Sequence, residues 1–230
     1  FGAESFHSAM VPHAGEHTKL YRSVCELGAA LKTLGDAGVQ GSELVRSDTA
    51  ILFSAESEWA TRSETLPSKK LNHWHDVRDW YRAYLDAGTR ADIVPLKYDW
   101  SGYATVVLPT VLMLSAADTA RLERFVRDGG TVVVGYASGL IDENFHTWLG
   151  GYPGAGDGML RTMLGIRGEE FNILGAQAEG EPSEIRLSNG MVTRLWQNDI
   201  AVDGVDTEVL ASYAGTQADE WDLDGTAAIT

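Results

Sequence analysis

A chain of 230 residues with 44% hydrophobic side chains is long enough for one large domain, or a domain with an appendage, around a real core. Its 33 carboxylates against 18 cations give a formal charge of -15, which sets the surface against phosphate backbones and anionic lipid, so no nucleic-acid and no membrane partner is expected. No apolar run has the length of a bilayer span or the layout of a signal peptide, and the single cysteine, Cys25, excludes an internal disulfide and a cysteine-based zinc cluster within the chain.

Residues 1–15 are rich in small residues and show neither helical nor strand periodicity, as a loop entering from something upstream would. The first residue is Phe1, and Ile229-Thr230 ends a strand-like run with no turn after it, so both ends read as cut. Leu20, Val24, Leu27, Leu31 and Leu34 follow at alternating spacings of four and three, one apolar stripe along a helix that Gly35 and Gly38 end. Thr49-Ala-Ile-Leu-Phe53 is the first candidate strand. Residues 54–70 then form a polar stretch longer than ordinary strand-to-helix loops. A helix over 72–86 is expected to carry Val77, Trp80, Tyr81, Tyr84 and Leu85 on one side, and residues 91–94 give the second strand.

Residues 105–135 organise the rest. Thr105-Val-Val-Leu-Pro109 and Thr131-Val-Val-Val-Gly135 have the β-branched composition of strands buried on both faces. Between them Ser115-Ala-Ala-Asp118 has the form of a capping box, Leu122, Phe125 and Val126 recur at helical spacing, and Asp128-Gly129-Gly130 supplies the stop. Two strands joined by a helix make a right-handed parallel crossover, the unit of an open α/β sheet. The link over 95–103 is short for a crossover and returns across the sheet only if it runs nearly straight, which puts strand two at an edge in the order 2-1-3-4. Beyond Gly135 come a long loop over 137–158, a short helix over 160–164 and alternating runs at 184–187, 192–196, 208–213 and 227–229. These predict antiparallel strands added at one edge of the sheet.

Several constellations bear on chemistry. His13-Ala-Gly-Glu16-His17 matches the inverted zinc-protease pattern, but Pro12 precedes it and Gly15 sits inside it, so the helical frame that brings both imidazoles to one face is missing and no metal site is expected. His73 and His75 point to different sides of a helix and read as surface histidines. Asp142, Glu143, Asn144 and His146 follow the carboxyl end of a central strand, where open α/β sheets place their sites; a solvated acidic loop is the competing reading. A flavodoxin-type phosphate site is disfavoured by Glu56 and Glu58 after strand one. An amidotransferase or related hydrolase wants a nucleophile on a sharp turn after a strand, yet Leu108 is followed by Pro-Thr-Val-Leu-Met, and Cys25 lies on a helix. The residues alone therefore point to a scaffold or interaction domain.

The run Phe1-Gly-Ala-Glu-Ser-Phe-His-Ser-Ala-Met-Val-Pro-His-Ala-Gly-Glu16 resembles the segment leaving the barrel in glycoside hydrolase family 42 β-galactosidases. The likeness continues through Val77-Arg-Asp-Trp-Tyr81, Asp99-Trp-Ser-Gly-Tyr103, Ser138-Gly-Leu-Ile-Asp-Glu-Asn144 and Leu149-Gly-Gly-Tyr-Pro-Gly154, and covers essentially the whole chain. The resemblance implies that residues 1–15 are the exit of an upstream TIM barrel and residues 16–230 an α/β trimerisation domain with a truncated C-terminus. The expected fold is a flavodoxin-like or class I glutamine amidotransferase-like parallel sheet, with helices on both faces and added antiparallel strands.

The same resemblance implies a cytoplasmic homotrimer, no cofactor, and a galactoside substrate bound in the intact enzyme. The two glutamates of a retaining mechanism would lie upstream, leaving no catalytic residue here, and the four-cysteine zinc site of some members would also be upstream. Glu4 and His7 match positions that hydrogen-bond sugar hydroxyls, in keeping with sites at the carboxyl ends of barrel strands. Two departures stand out: His17 replaces an acidic residue, and Gly156-Asp-Gly-Met159 looks inserted. Trp59, Trp74 and Trp148 are candidates for subunit contacts or for core. The alternative from another class is a free-standing small-molecule hydrolase or amidotransferase-like enzyme on the same fold, dependent on Cys25.

Overall fold

The computed structural model describes residues 11, 15–174, 184–214 and 225–230. The chain divides into two units, residues 1–46 and 47–230.

The first unit holds α1 (Lys19–Asp36). Thr18 caps it, its hydroxyl accepting from the Tyr21 N–H at 3.3 Å, and Gly38 follows the helix at φ 87°. The leucine stripe faces solvent, with Leu20, Leu27, Leu31 and Leu34 between 42% and 59% exposed. Cys25 is exposed beside it.

The second unit is built on a parallel sheet of β1 (Thr49–Phe53), β2 (Asp92–Pro95), β3 (Thr105–Leu108) and β4 (Thr131–Val134) in the order β2-β1-β3-β4. This is the expected order, with Ala50 beside Val106 and Val106 beside Val132 in register. Successive side chains go to opposite faces. Ala50, Leu52, Val106 and Leu108 pack with Trp100, Leu122 and Phe125 on one face, and Ile51 and Val107 pack with Val77 on the other.

The helices follow their local chemistry. Asn72 caps α3 (His73–Asp86), accepting from the His75 N–H at 2.9 Å. Ser115 and Asp118 make the reciprocal capping box of α4 (Ala116–Arg127), and Asp118 also meets Lys97 at 2.7 Å. Gly165, at φ 66°, closes α5 (Met159–Leu164); a Cβ there would lie 2.1 Å from the Thr207 hydroxyl.

Several expectations are corrected. The polar stretch after β1 contains a helix, α2 (Ala55–Ala60), capped by Ser54. Leu85 leaves the apolar side of α3 and is 50% exposed. β4 is an edge strand, so Val132, Val133 and Val134 are half-buried rather than covered on both faces. The 95–103 link is not straight, because Tyr98 N–H turns back to the Pro95 carbonyl and Trp100 is buried. It still returns, since strands of four or five residues span only about 15 Å.

The antiparallel strands form sheets of their own rather than extending the parallel one. β5 (Ile166–Ile173), unforeseen, pairs with β8 (Trp196–Val202), while β10 (Ala227–Ile229), β9 (Ala211–Ala214), β6 (Ile185–Leu187) and β7 (Val192–Thr193) make the other sheet. An apolar cluster of Leu71, Leu112, Ile141, Ile173 and Trp196 joins the carboxyl end of the parallel sheet to β5 and β8.

Candidate functional site

Open α/β sheets carry their chemistry at the carboxyl ends of the strands, and here that rim is assembled from four short segments. β1 runs through Ser54 into α2 and, later, into the first turn of α3; β3 runs into residues 109–114; β4 runs into Tyr136 and the 137–158 loop.

His73 sits at the centre, fully buried. Its Nε2 accepts from the Ser54 backbone N–H at 2.8 Å, so the proton is on Nδ1, which donates to the Pro109 carbonyl at 2.8 Å. The neutral ring thus ties the ends of β1 and β3 to α3 and stacks on Phe53 at 5.4 Å. Burial pushes its pKa below the ordinary 6.5, against smaller opposing effects of the Pro109 carbonyl and the Glu58 and Asp76 carboxylates. This corrects the expectation of a surface histidine; His75 is the exposed one of the pair.

Directly after β3, Thr110 adopts φ 47°, a left-handed conformation rare for a β-branched residue. That is where a hydrolase on such a sheet would hold its nucleophile. The Thr110 hydroxyl donates to Asp76 Oδ2, and the Tyr136 hydroxyl donates to the same oxygen at 2.7 Å. Desolvation raises the Asp76 carboxyl above its ordinary 3.8, against the two donated hydrogen bonds, and burial raises the Tyr136 phenol. Thr110 is nevertheless 0% exposed. The elbow is formed but shut, and its hydroxyl is already committed to a carboxylate.

The neighbouring hydroxyls are committed too. Ser138 Oγ accepts from the Val111 N–H and donates to the Leu108 carbonyl, both at 3.0 Å, and Ser57 Oγ accepts from the Met113 N–H at 3.1 Å. Glu58 is turned inward: Oε1 takes Arg62 at 2.6 Å and Oε2 takes the Trp74 N–H at 3.0 Å. These bonds fix loops to one another, and none leaves a nucleophile beside a base in reach of solvent.

At the outer rim, Asp142 accepts the Asn144 and His146 N–H groups, each at 2.8 Å, which holds its carboxyl below the ordinary range. His146 is 78% exposed and 3.7 Å from that carboxylate, and Phe145 stands at the tip with φ 66°. The cluster is a self-contained turn. Trp59 and Trp74 are exposed, whereas Trp148 packs against the core with its indole N–H on the Leu114 carbonyl.

Among the described residues no three His, Cys, Asp or Glu side chains gather to hold a metal ion. Glu4, His7 and His13 lie outside the described residues. Glu16 and His17, the described end of the inverted zinc motif, precede α1, and His17 is 93% exposed. Sequence reasoning missed Asp76, Thr110 and Tyr136; the only available signal was the Pro-Thr pair after a buried strand.

Comparison with known proteins agrees with a site-poor domain. The family described as β-galactosidase trimerisation domain matches residues 47–230. β-Galactosidase BbgII of Bifidobacterium bifidum is 43% identical over 220 residues, which are 96% of this chain and 31% of that protein. The crystal structure of a β-galactosidase from Bifidobacterium adolescentis shares 73% identity, covering 80% of this chain and 85% of that one with a TM-score of 0.55. That of the Bacillus circulans sp. alkalophilus β-galactosidase shares 31% over 97% of this chain and 32% of that one, with a TM-score of 0.75. The chain spans about a third of the length of the curated relatives it matches.

Proposed function

Because the chain belongs to the family of glycoside hydrolase family 42 β-galactosidase trimerisation domains, we propose that it is the assembly module of a cytoplasmic homotrimeric enzyme that removes terminal β-D-galactose. Hydrolysis with retention needs two carboxyl groups about 5 Å apart on either side of the glycosidic bond. In this reading both are glutamates of a barrel outside this chain, and residues 1–15 are the barrel's exit. Glu4 would accept from, and His7 donate to, galactose hydroxyls there. The exposed leucine stripe of α1 is suited to lie against apolar barrel surface.

The observation that carries the reading is the shut elbow. At the end of β3, where a parallel sheet could carry a nucleophile, Thr110 is 0% exposed and bonded to Asp76, while the exposed rim is aromatic. The Cys25-dependent hydrolase is not favoured, since that thiol stands exposed on α1. The order β2-β1-β3-β4 is that of the first four strands of a flavodoxin-like sheet, which supports that finer assignment.

The test is enzymatic. This chain alone should not hydrolyse a chromogenic galactoside that the full-length protein cleaves, and His7→Ala in the full-length protein should raise KM. Cleavage by the chain alone, or an unchanged KM, would reject the corresponding assignment.

A further inference from the structure

The run between β1 and α3 goes from Ser54 to Asn72, far longer than the few residues that usually join a strand to its helix. Excursions of that length at the carboxyl rim of a sheet are ordinarily lids or binding loops. This one is tied into a body of its own. The Ser54 hydroxyl accepts from the Ser57 N–H at 3.0 Å, the Glu58 carboxylate from the Trp74 N–H at 3.0 Å, and the Thr61 hydroxyl from the His73 N–H at 3.4 Å. α2 and the first turn of α3 are thereby joined to each other.

Its hold on the rest of the unit is thinner. Ala60 and Leu71 enter the apolar cluster around Leu112 and Ile141, and Ser57 Oγ accepts from the Met113 N–H at 3.1 Å. None of residues 62–70 is buried.

His73 supplies a further fastening, and it depends on a proton. As a neutral ring it joins the Ser54 N–H to the Pro109 carbonyl, each at 2.8 Å. A proton on Nε2 turns that acceptor into a second donor facing the Ser54 N–H, in a place of 0% exposure. The charged ring therefore breaks the clasp and needs water. Burial holds the pKa below 6.5 and outweighs the Pro109 carbonyl, Glu58 of α2, Asp76 of α3 and the Thr110 backbone, which all act the other way. Glu58 is itself paired with Arg62, and Asp76 has Asp79 and the Tyr136 hydroxyl beside it. Once uncovered, His73 regains its ordinary 6.5, so opening is favoured as pH falls below 6.5 and gains nothing more beneath the folded value.

We propose that residues 54–75 are an acid-released strap: His73 is its clasp, Ser54 and Asp76 are its hinges, and it lifts from the rim as one body while the four-stranded sheet stays folded. Asp76 remains on the sheet, bonded to the Thr110 and Tyr136 hydroxyls. Lifting uncovers Leu112 and Ile141, so a fall in pH becomes a new apolar surface at the end of the sheet.

The test is hydrogen exchange of the full-length protein, read as protection factors so that the intrinsic pH dependence of exchange cancels. Amides of residues 54–60 and 73–75 should lose protection by about 5- to 25-fold between pH 7 and pH 5. Their denaturant slope should lie well below that of the β3 amides, because only part of the unit opens. In His73→Gln, which stays neutral, the loss should vanish. Ser57→Ala should lower the protection of the same amides at both pH values and leave the pH dependence as in the parent. A strap that exchanges with the denaturant slope of β3, or a pH loss as large in His73→Gln as in the parent, would overturn the proposal. Should His73→Gln fail to fold, the denaturant slopes of the parent and of Ser57→Ala decide alone.

Discussion

The inner and outer parts of the same sheet rim differ in what their polar groups do. Around His73, Thr110 and Ser138, each named donor or acceptor is spent on a backbone group or on Asp76, within a zone that solvent hardly reaches. A few residues away, Trp59 and Phe145 present apolar rings to water, and Glu143 and Lys69 are exposed. The inner zone has the position of a catalytic site with the chemistry of a strut. The outer zone has no catalytic set and the composition of an interface. Strain separates them as well: Thr110 and Phe145 both have positive φ, but one is locked inside by a hydrogen bond and the other is displayed.

That contrast breaks most visibly at His73. His73→Ala removes a buried ring and leaves the Ser54 N–H and the Pro109 carbonyl without partners, so it should cost about 3–5 kcal/mol in urea unfolding. The same residue gives a pH signature. Its folded pKa lies below 6.5, so the unfolded chain binds the proton first, and stability should fall as pH drops from 6.5 to the folded value. Asp76 has the opposite sign: its folded pKa is raised above 3.8, so its contribution is present in acid and is lost as pH rises through the folded value. Urea midpoints across this range should slope downward toward acid in the parent and be flatter in His73→Gln. A pH slope as steep in His73→Gln as in the parent would contradict a buried neutral ring.

Smaller effects sharpen the account of the elbow. Thr110→Val keeps the shape and removes the hydroxyl, and should cost about 1–2 kcal/mol because Asp76 loses a donor. Thr110→Ser keeps the hydroxyl and relieves β-branching at φ 47°, so it should be neutral or slightly stabilising. Neither should change galactosidase turnover of the full-length protein at a temperature where both are folded. A large loss of turnover in Thr110→Val alone would mean the hydroxyl does chemistry.

The sequence was most informative where one local rule decided the outcome. The β-branched run of β3 read as a strand buried on both faces and is one, the like run of β4 lies at an edge and is only half covered, and the Ser115–Asp118 box opened α4 as expected; the order of the parallel sheet came out as expected although the second link turns rather than running straight. α2 was hidden because six residues are too few to show a period, although Ser54 followed by Glu56 and Glu58 in the first turn was a usable start signal. β5 was hidden by its own irregularity: the register shifts between Gly168 and Glu170, so its apolar residues do not alternate. The inner rim was least legible. That His73 is buried, and that Thr110 takes a left-handed turn toward Asp76, depends on segments far apart in the chain meeting at one end of a sheet. Local spacing carries no record of such meetings.

The most direct measurement is the mass of the full-length protein in dilute solution. A domain whose exposed chemistry is adhesive should hold three copies together at micromolar concentration, with a light-scattering mass three times that of the polypeptide. A mass equal to one polypeptide, in a protein that still hydrolyses galactosides, would contradict an assembly role for this domain.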